Sequence, residues 1–210
     1  MMKTVIIDYG SGNLHSALKA FERAAADNGI KGKIIVSNKA DEVATADRIV
    51  LPGVGAFKDC RDGLNAVEGM REVLQQQVIA RGRPFLGICV GMQLLATRGV
   101  EHGVTQGLGW IPGEVHLIER TDPAIKIPHM GWNDVEPTAH PALVEPGEAY
   151  FLHSYHFVPD DGRSIAAMTD HGGGLVAAVA RDNLVGVQFH PEKSQAYGLA
   201  LLARFLEWRP

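Results

Sequence analysis

Two halves of this chain carry different hydrophobic rhythms, and that contrast limits the folds open to it. In the first half, short apolar runs alternate with amphipathic stretches. "KTVIIDYG" reads as a strand ending in a turn, "GSGN". The spacing Leu14, Leu18, Phe21 predicts a helix from Leu14 to about Asn28, with Gly29 as its stop. "KIIVS", "RIVLPG" and "PFLGIC" read as buried strands. A helix is expected from Leu64 to Ala80, with Val67, Met70, Val73 and Leu74 on one face, and "VGMQLLA" opens another. Strands separated by helices imply a parallel sheet covered on both faces. In the second half, "GEVHLIE", "AYFLHSYHFV", "SIAAMTD", "LVAAVAR" and "LVGVQFH" are strand-like runs with few helices between them. They predict an antiparallel extension of the sheet. A C-terminal helix from Ser194 to Trp208, packing through Leu199, Leu202 and Phe205, closes it. The expected class is α/β, a mostly parallel central sheet flanked by helices, with an antiparallel extension.

At 210 residues the chain reads as a single domain over residues 1–210, with enough length for a full core. A composition of 46% hydrophobic and 21% charged residues is that of an ordinary soluble protein. The formal net charge of −4 gives no electrostatic reason to expect nucleic acid or an anionic membrane as partner. No apolar run approaches the roughly 20 residues of a membrane helix, and Asp8 cuts the first one too short for a signal peptide. Two cysteines, Cys60 and Cys89, do not make a disulfide framework, so a reducing cytoplasm is the expected location.

Cys89 falls where a parallel strand gives way to a helix, on the rim where open α/β sheets build their sites. Gly87-Ile88-Cys89-Val90-Gly91 has the spacing of a nucleophile elbow with cysteine in the serine position. Small residues two before and two after let the chain turn sharply around a strained nucleophile. A helix starting behind Cys89 would add its dipole in favour of the thiolate. A buried cysteine in a tight turn is the plain alternative. Cys60, in "KDCRD" beside Asp59 and near Asp62, lacks the glycines and reads as structural.

Nine histidines compete to serve as base. His153 and His156, three apart in a strand-like run, face opposite sides and make a poor metal pair. No HExxH or CxxC occurs, so neither metal nor cofactor is expected. His190 ends an apolar strand in "VGVQFHPEKS", and Glu192 follows two residues later on the same side of an extended backbone. Glu192 can then fix the imidazole tautomer and leave the other nitrogen for the thiol. A surface His-Pro-Glu turn is the alternative. The Val90 amide is the usual first oxyanion donor in an elbow. "LPGVGAF", with Gly53 and Val54, ends a neighbouring strand and offers the second.

In order and kind, these residues resemble the class I, triad-type glutamine amidotransferases. "YGSGNLHS", "LPGVGAF", "GICVGMQLL", "GLGWIPGEV", "KIPHMGWN", "FLHSYHF" and "GVQFHPEKS" are similar, more narrowly, to the glutaminase subunits of imidazole glycerol phosphate synthase. These segments span residues 9 to 194. Val90 stands where that pattern has leucine. The resemblance implies a flavodoxin-like core and a Cys89-His190-Glu192 triad that hydrolyses glutamine to glutamate. It further implies that Gln93, Glu101, Ser154 and Tyr155 hold glutamine. Ammonia would pass to a separate barrel-shaped cyclase subunit, HisF, in a heterodimer, where it serves formation of imidazole glycerol phosphate and an aminoimidazole carboxamide nucleotide (AICAR) for histidine. Asn13 and Trp132 would lie at that interface; a helix cap for Asn13 and a core position for Trp132 are the structural alternatives. Two other readings of the chain stand beside this one. One is a different triad-type glutaminase or a γ-glutamyl hydrolase. The other is a catalytically silent binding subunit.

Overall fold

The computed structural model describes residues 1–120 and 123–210. Its strands in chain order are β1 (Lys3–Ile7), β2 (Lys33–Ser37), β3 (Arg48–Gly53), β4 (Phe85–Cys89), β5 (Arg98–Gly99), β6 (Thr105–Gln106) and β7 (Gly113–Leu117). There follow β8 (His129–Pro137), β9 (Gly147–His153), β10 (Tyr155–Pro159), β11 (Ile165–Asp170), β12 (Gly174–Arg181) and β13 (Leu184–Val187). The helices are α1 (Leu14–Asp27), α2 (Ala40–Ala44), α3 (Phe57–Ala66), α4 (Met70–Leu74), α5 (Val90–Gln93) and α6 (Gln195–Glu207).

Among the described residues, nine strands form one sheet in the order β2-β1-β3-β4-β13-β12-β11-β8-β9. The five from β2 to β13 run parallel, and β12, β11, β8 and β9 extend the sheet antiparallel. This is the expected α/β arrangement. Every residue of β3 and β4 is buried, so both faces of the sheet centre are covered, as parallel strands require. On one side α1 and α6 lie together, joined by an edge-to-face contact of Phe21 and Phe205 at 6.2 Å. Phe85 meets Trp110 in the same manner at 5.2 Å.

The fold departs from the expectations in three places. The stretch expected as one helix over Leu64–Ala80 is α3, beginning at Phe57, then a break, then α4 running into a π-helical turn at Gln75–Ala80. Val67 is extended and Gly69 takes a left-handed φ of 69°, which ends one helix and starts the next. The run "AYFLHSYHFV" is not one strand. It breaks at Ser154, and its second half, β10, joins a separate four-stranded sheet in the order β10-β7-β5-β6. Finally, "LVGVQFH" is strand only through Val187. The remaining residues, Gln188 to His190, leave the strand: the Gln188 N–H donates to the Ala177 carbonyl and the His190 N–H to the Tyr150 carbonyl.

Candidate active site

The elbow forms where expected. Cys89 is the last residue of β4, buried, with φ 53° and ψ −111°, a left-sided conformation that a side chain tolerates only under tight constraint. The two glycines explain how the chain manages it. A Cβ on Gly91 would sit 1.7 Å from the Leu51 carbonyl oxygen of β3, and one on Gly87 would sit 2.6 Å from the Gly91 oxygen. Any side chain at either position would push the turn off the sheet and carry Cys89 with it. The helix behind the cysteine, however, is one turn, Val90–Gln93. The helix dipole expected at the thiol therefore has little helix to come from.

His190 is buried, and its Nδ1 lies 2.8 Å from Glu192 Oε1. The pair is made differently from the expectation of extended backbone: Pro191–Lys193 form a 3₁₀ turn that folds the carboxylate back onto the ring. Burial pulls the His190 pKa down, but hydrogen bonds and charge from Cys89 and Glu192 outweigh it and raise it to about 10. The imidazolium is thus strongly favoured. Ser194, which sequence reading placed only at the start of the C-terminal helix, holds the turn from behind: its hydroxyl donates to the His190 carbonyl at 2.6 Å and accepts the Tyr150 N–H at 2.9 Å.

Cys89 and His190 open into a cavity of about 330 Å³ lined by Val54, Gly55, Val90, Gln93, Glu101, Leu152, His153, Ser154, Tyr155 and Lys193 among others. All four residues expected to hold glutamine line this cavity. Glu101 Oε2 accepts the Phe57 N–H at 2.8 Å, which ties its loop to the start of α3. Gln93 is turned into the wall, with Nε2 3.0 Å from both the Tyr155 carbonyl and Gln188 Oε1. Gln188 was missed by sequence reasoning. It is fully buried, with Nε2 3.6 Å from Cys89 Sγ; a lone amide two residues before His190 in an apolar run was its signal.

Gly53 pairs with Cys89 across β3 and β4, so the loop carrying Gly53 and Val54 leaves the sheet beside Cys89. The Val54 amide, though, is engaged elsewhere. Its N–H donates to Ser11 Oγ at 3.1 Å, and the Ser11 hydroxyl donates to the Val54 carbonyl at 2.7 Å. Tyr9 Oη donates to the Pro52 carbonyl at 2.6 Å and pins the strand end. Cys60 lies beneath the loop, fully buried, its Sγ 3.3 Å from the Val54 oxygen. Burial raises its pKa, rather than the neighbouring aspartates.

Trp132 is not a core aromatic: it is 47% exposed, beside exposed Met130 and Leu152 on the β8–β9 pair. Asn13 precedes α1 but makes no side-chain cap. His153 and His156, expected on opposite sides, end up on strands of different sheets.

The profile of the family "Glutamine amidotransferase class-I" matches residues 5–208. The imidazole glycerol phosphate synthase subunit HisH of Mesorhizobium japonicum is 58% identical over 216 residues, covering all of both chains. The protein of that name from Rhodospirillum rubrum is 56% identical over 214 residues, again with full coverage. That of Zymomonas mobilis is 55% identical, covering 98% of this chain and 95% of its own. Among solved structures, one described as a glutamine amidotransferase superposes with a TM-score of 0.70 at 18% identity, covering 97% of each chain. A second, from Thermotoga maritima, gives 0.62 at 15% identity, covering 91% of this chain and 76% of its own. At those identities the two structures speak for the fold. The chain belongs to the class I glutamine amidotransferase family, in the branch of the imidazole glycerol phosphate synthase subunits HisH.

Proposed function

We propose that this chain is the glutaminase subunit of imidazole glycerol phosphate synthase, working as one domain in the cytoplasm without a cofactor. Cys89 Sγ attacks the carboxamide carbon of glutamine, and the negative charge moves to the carboxamide oxygen, facing the Val90 amide. The thiol proton rests on His190, whose raised pKa favours the imidazolium, and passes to the departing nitrogen as the C–N bond breaks. Ammonia leaves, a glutamyl thioester remains, and water brought in through His190 releases glutamate. Glu192 keeps the imidazole oriented and offsets its charge. The observation that carries this reading is the strained Cys89 facing the same cavity as His190, whose ring is bound from behind by buried Glu192.

Ammonia is then consumed by a separate subunit, HisF, which closes the imidazole ring and releases AICAR. In support, exposed Met130, Trp132 and Leu152 form an apolar face, and Leu152 belongs at once to that face and to the cavity wall. A silent binding subunit would have no use for a strained cysteine paired with a buried base. The test is glutamate production by the isolated chain, by the complex with the cyclase, and by the complex with its nucleotide ligand. A slow isolated chain is expected, on the order of 100-fold below the liganded complex, as when one oxyanion donor is missing. We propose that the Val54 amide is turned away in the isolated chain and turned in by the liganded partner; equal rates in all three would remove this gating. No glutamate under any condition would remove the function.

A further inference from the structure

Behind the cavity wall runs a chain of hydrogen bonds that the triad does not use. Asn133 Nδ2 lies 3.0 Å from His129 Nε2, His129 Nδ1 3.0 Å from His153 Nε2, and His153 Nδ1 2.9 Å from the Tyr155 carbonyl oxygen. That carbonyl is the one that accepts Gln93 Nε2–H at the cavity wall.

The protons in this chain have one consistent arrangement. A carbonyl only accepts, so His153 carries its proton on Nδ1. With the ring neutral, His153 Nε2 is a lone pair and His129 must donate to it from Nδ1. His129 Nε2 then accepts from the Asn133 amide. The Asn133 side chain is itself fixed, because Nδ2 also donates to the Asp170 carbonyl at 2.7 Å and Oδ1 accepts the Asp134 N–H at 2.9 Å. Neutral rings are what burial enforces here: it lowers the His129 pKa to about 4 and that of His153 to about 3. His129 also stacks on Phe151, centroids 4.6 Å apart, and on His171, at 4.1 Å.

Position supplies the function. The chain passes from the nine-stranded sheet to the four-stranded one at Ser154, between His153 and Tyr155, and all three residues line the cavity. His153 bridges that crossing by bonding the carbonyl two residues ahead. We propose that His129 and His153, as a neutral pair both protonated on Nδ1, are positioning residues that hold the Tyr155 carbonyl and Gln93 amide in place for glutamine. The proposal rests on the glutaminase reading above.

Kinetics of the complex with its cyclase and nucleotide ligand test it. His153→Leu removes both contacts and should raise KM for glutamine about tenfold, the worth of one lost hydrogen bond to a buried group, with a smaller change in kcat. His153→Asn places an amide N–H near the former Nδ1 and should recover most of that loss. Nitrogen-15 spectra of the wild-type imidazoles should show protonated Nδ1 and bare Nε2 on both rings, whether or not either variant folds. An unchanged KM in His153→Leu, no recovery in His153→Asn, or an Nε2–H on either wild-type ring would overturn the proposal. If the wild-type complex makes no glutamate, the glutaminase reading fails instead, and the spectra still judge the pair.

Discussion

The amide nitrogen of Val54 lies 3.1 Å from the hydroxyl oxygen of Ser11, which returns a hydrogen bond to the carbonyl of the same residue at 2.7 Å. Ser11 does not line the cavity that holds Cys89, whereas Val54 does. An amide held this way cannot also meet an oxyanion in that cavity. Gly55, at φ 91°, lets the adjoining peptide turn at little steric cost.

Removing the latch should therefore free the amide. In Ser11→Ala, glutamine hydrolysis by the isolated chain is expected to rise several-fold, the worth of a hydrogen bond of about 1 kcal/mol. On the proposed gating the liganded complex has this latch open, so its rate should change little. A steady-state glutamate assay checks this, and a basal rate that stays level or falls would contradict it.

Stability should depend on pH through the buried histidines. The His190 pKa is raised from 6.5 to about 10, so its contribution is fully present below pH 6.5 and is lost as pH rises through 10. His129 and His153 are shifted the other way, to about 4 and about 3, so theirs is present above pH 6.5 and lost as pH falls through those values. Denaturant midpoints measured across pH should peak near neutrality. Glu192→Gln should flatten the alkaline limb while leaving the acid limb in place.

The same Glu192→Gln change should slow turnover less than His190→Ala does, because an orienting carboxylate contributes less than the base itself. Single-turnover rates of glutamate release in the liganded complex compare the two. An equal or larger loss in Glu192→Gln would reverse the assigned roles.

Trp132 offers a clean separation of binding from folding. Half exposed and resting edge-on against Tyr150 at 6.2 Å, it should contribute little to the isolated chain. Trp132→Ala is expected to leave the melting temperature within a few degrees and to weaken cyclase affinity by at least about 30-fold, as for an aromatic anchor at an interface. Calorimetric titration of the cyclase would show it; destabilisation with unchanged affinity would place Trp132 in the core's service instead.

Much of this molecule was legible because its local signals and its global contacts agree. The ends of β3 and β4 and the start of α1 follow from apolar runs closed by glycine or proline. The elbow was readable because Gly87 and Gly91 are demanded by backbone contacts that no side chain survives. What sequence hid were features set by distant partners. Gly69 breaks a well-patterned helix through a conformation that spacing does not encode. The strand crossing at Ser154 falls inside a run, Ala149 to Val158, that reads as one strand. Ser11, Gln188 and Ser194 take their roles from hydrogen bonds to residues far along the chain or from a turn whose shape periodicity does not reveal. Cys60 reads as structural from the charge beside it, but what sets its environment is burial under the Val54 loop; Cys60→Ala should cost on the order of 1 kcal/mol of stability while hydrolysis persists.

On the proposed mechanism Cys89 is the nucleophile, and its one task is to release ammonia. Cys89→Ala in the complex tests this most directly, with product formation by the cyclase measured once with glutamine and once with an ammonium salt as nitrogen source. Synthesis should vanish with glutamine and continue at the wild-type rate with ammonium. Retained glutamine-driven synthesis, or loss of both, would remove Cys89 from that role.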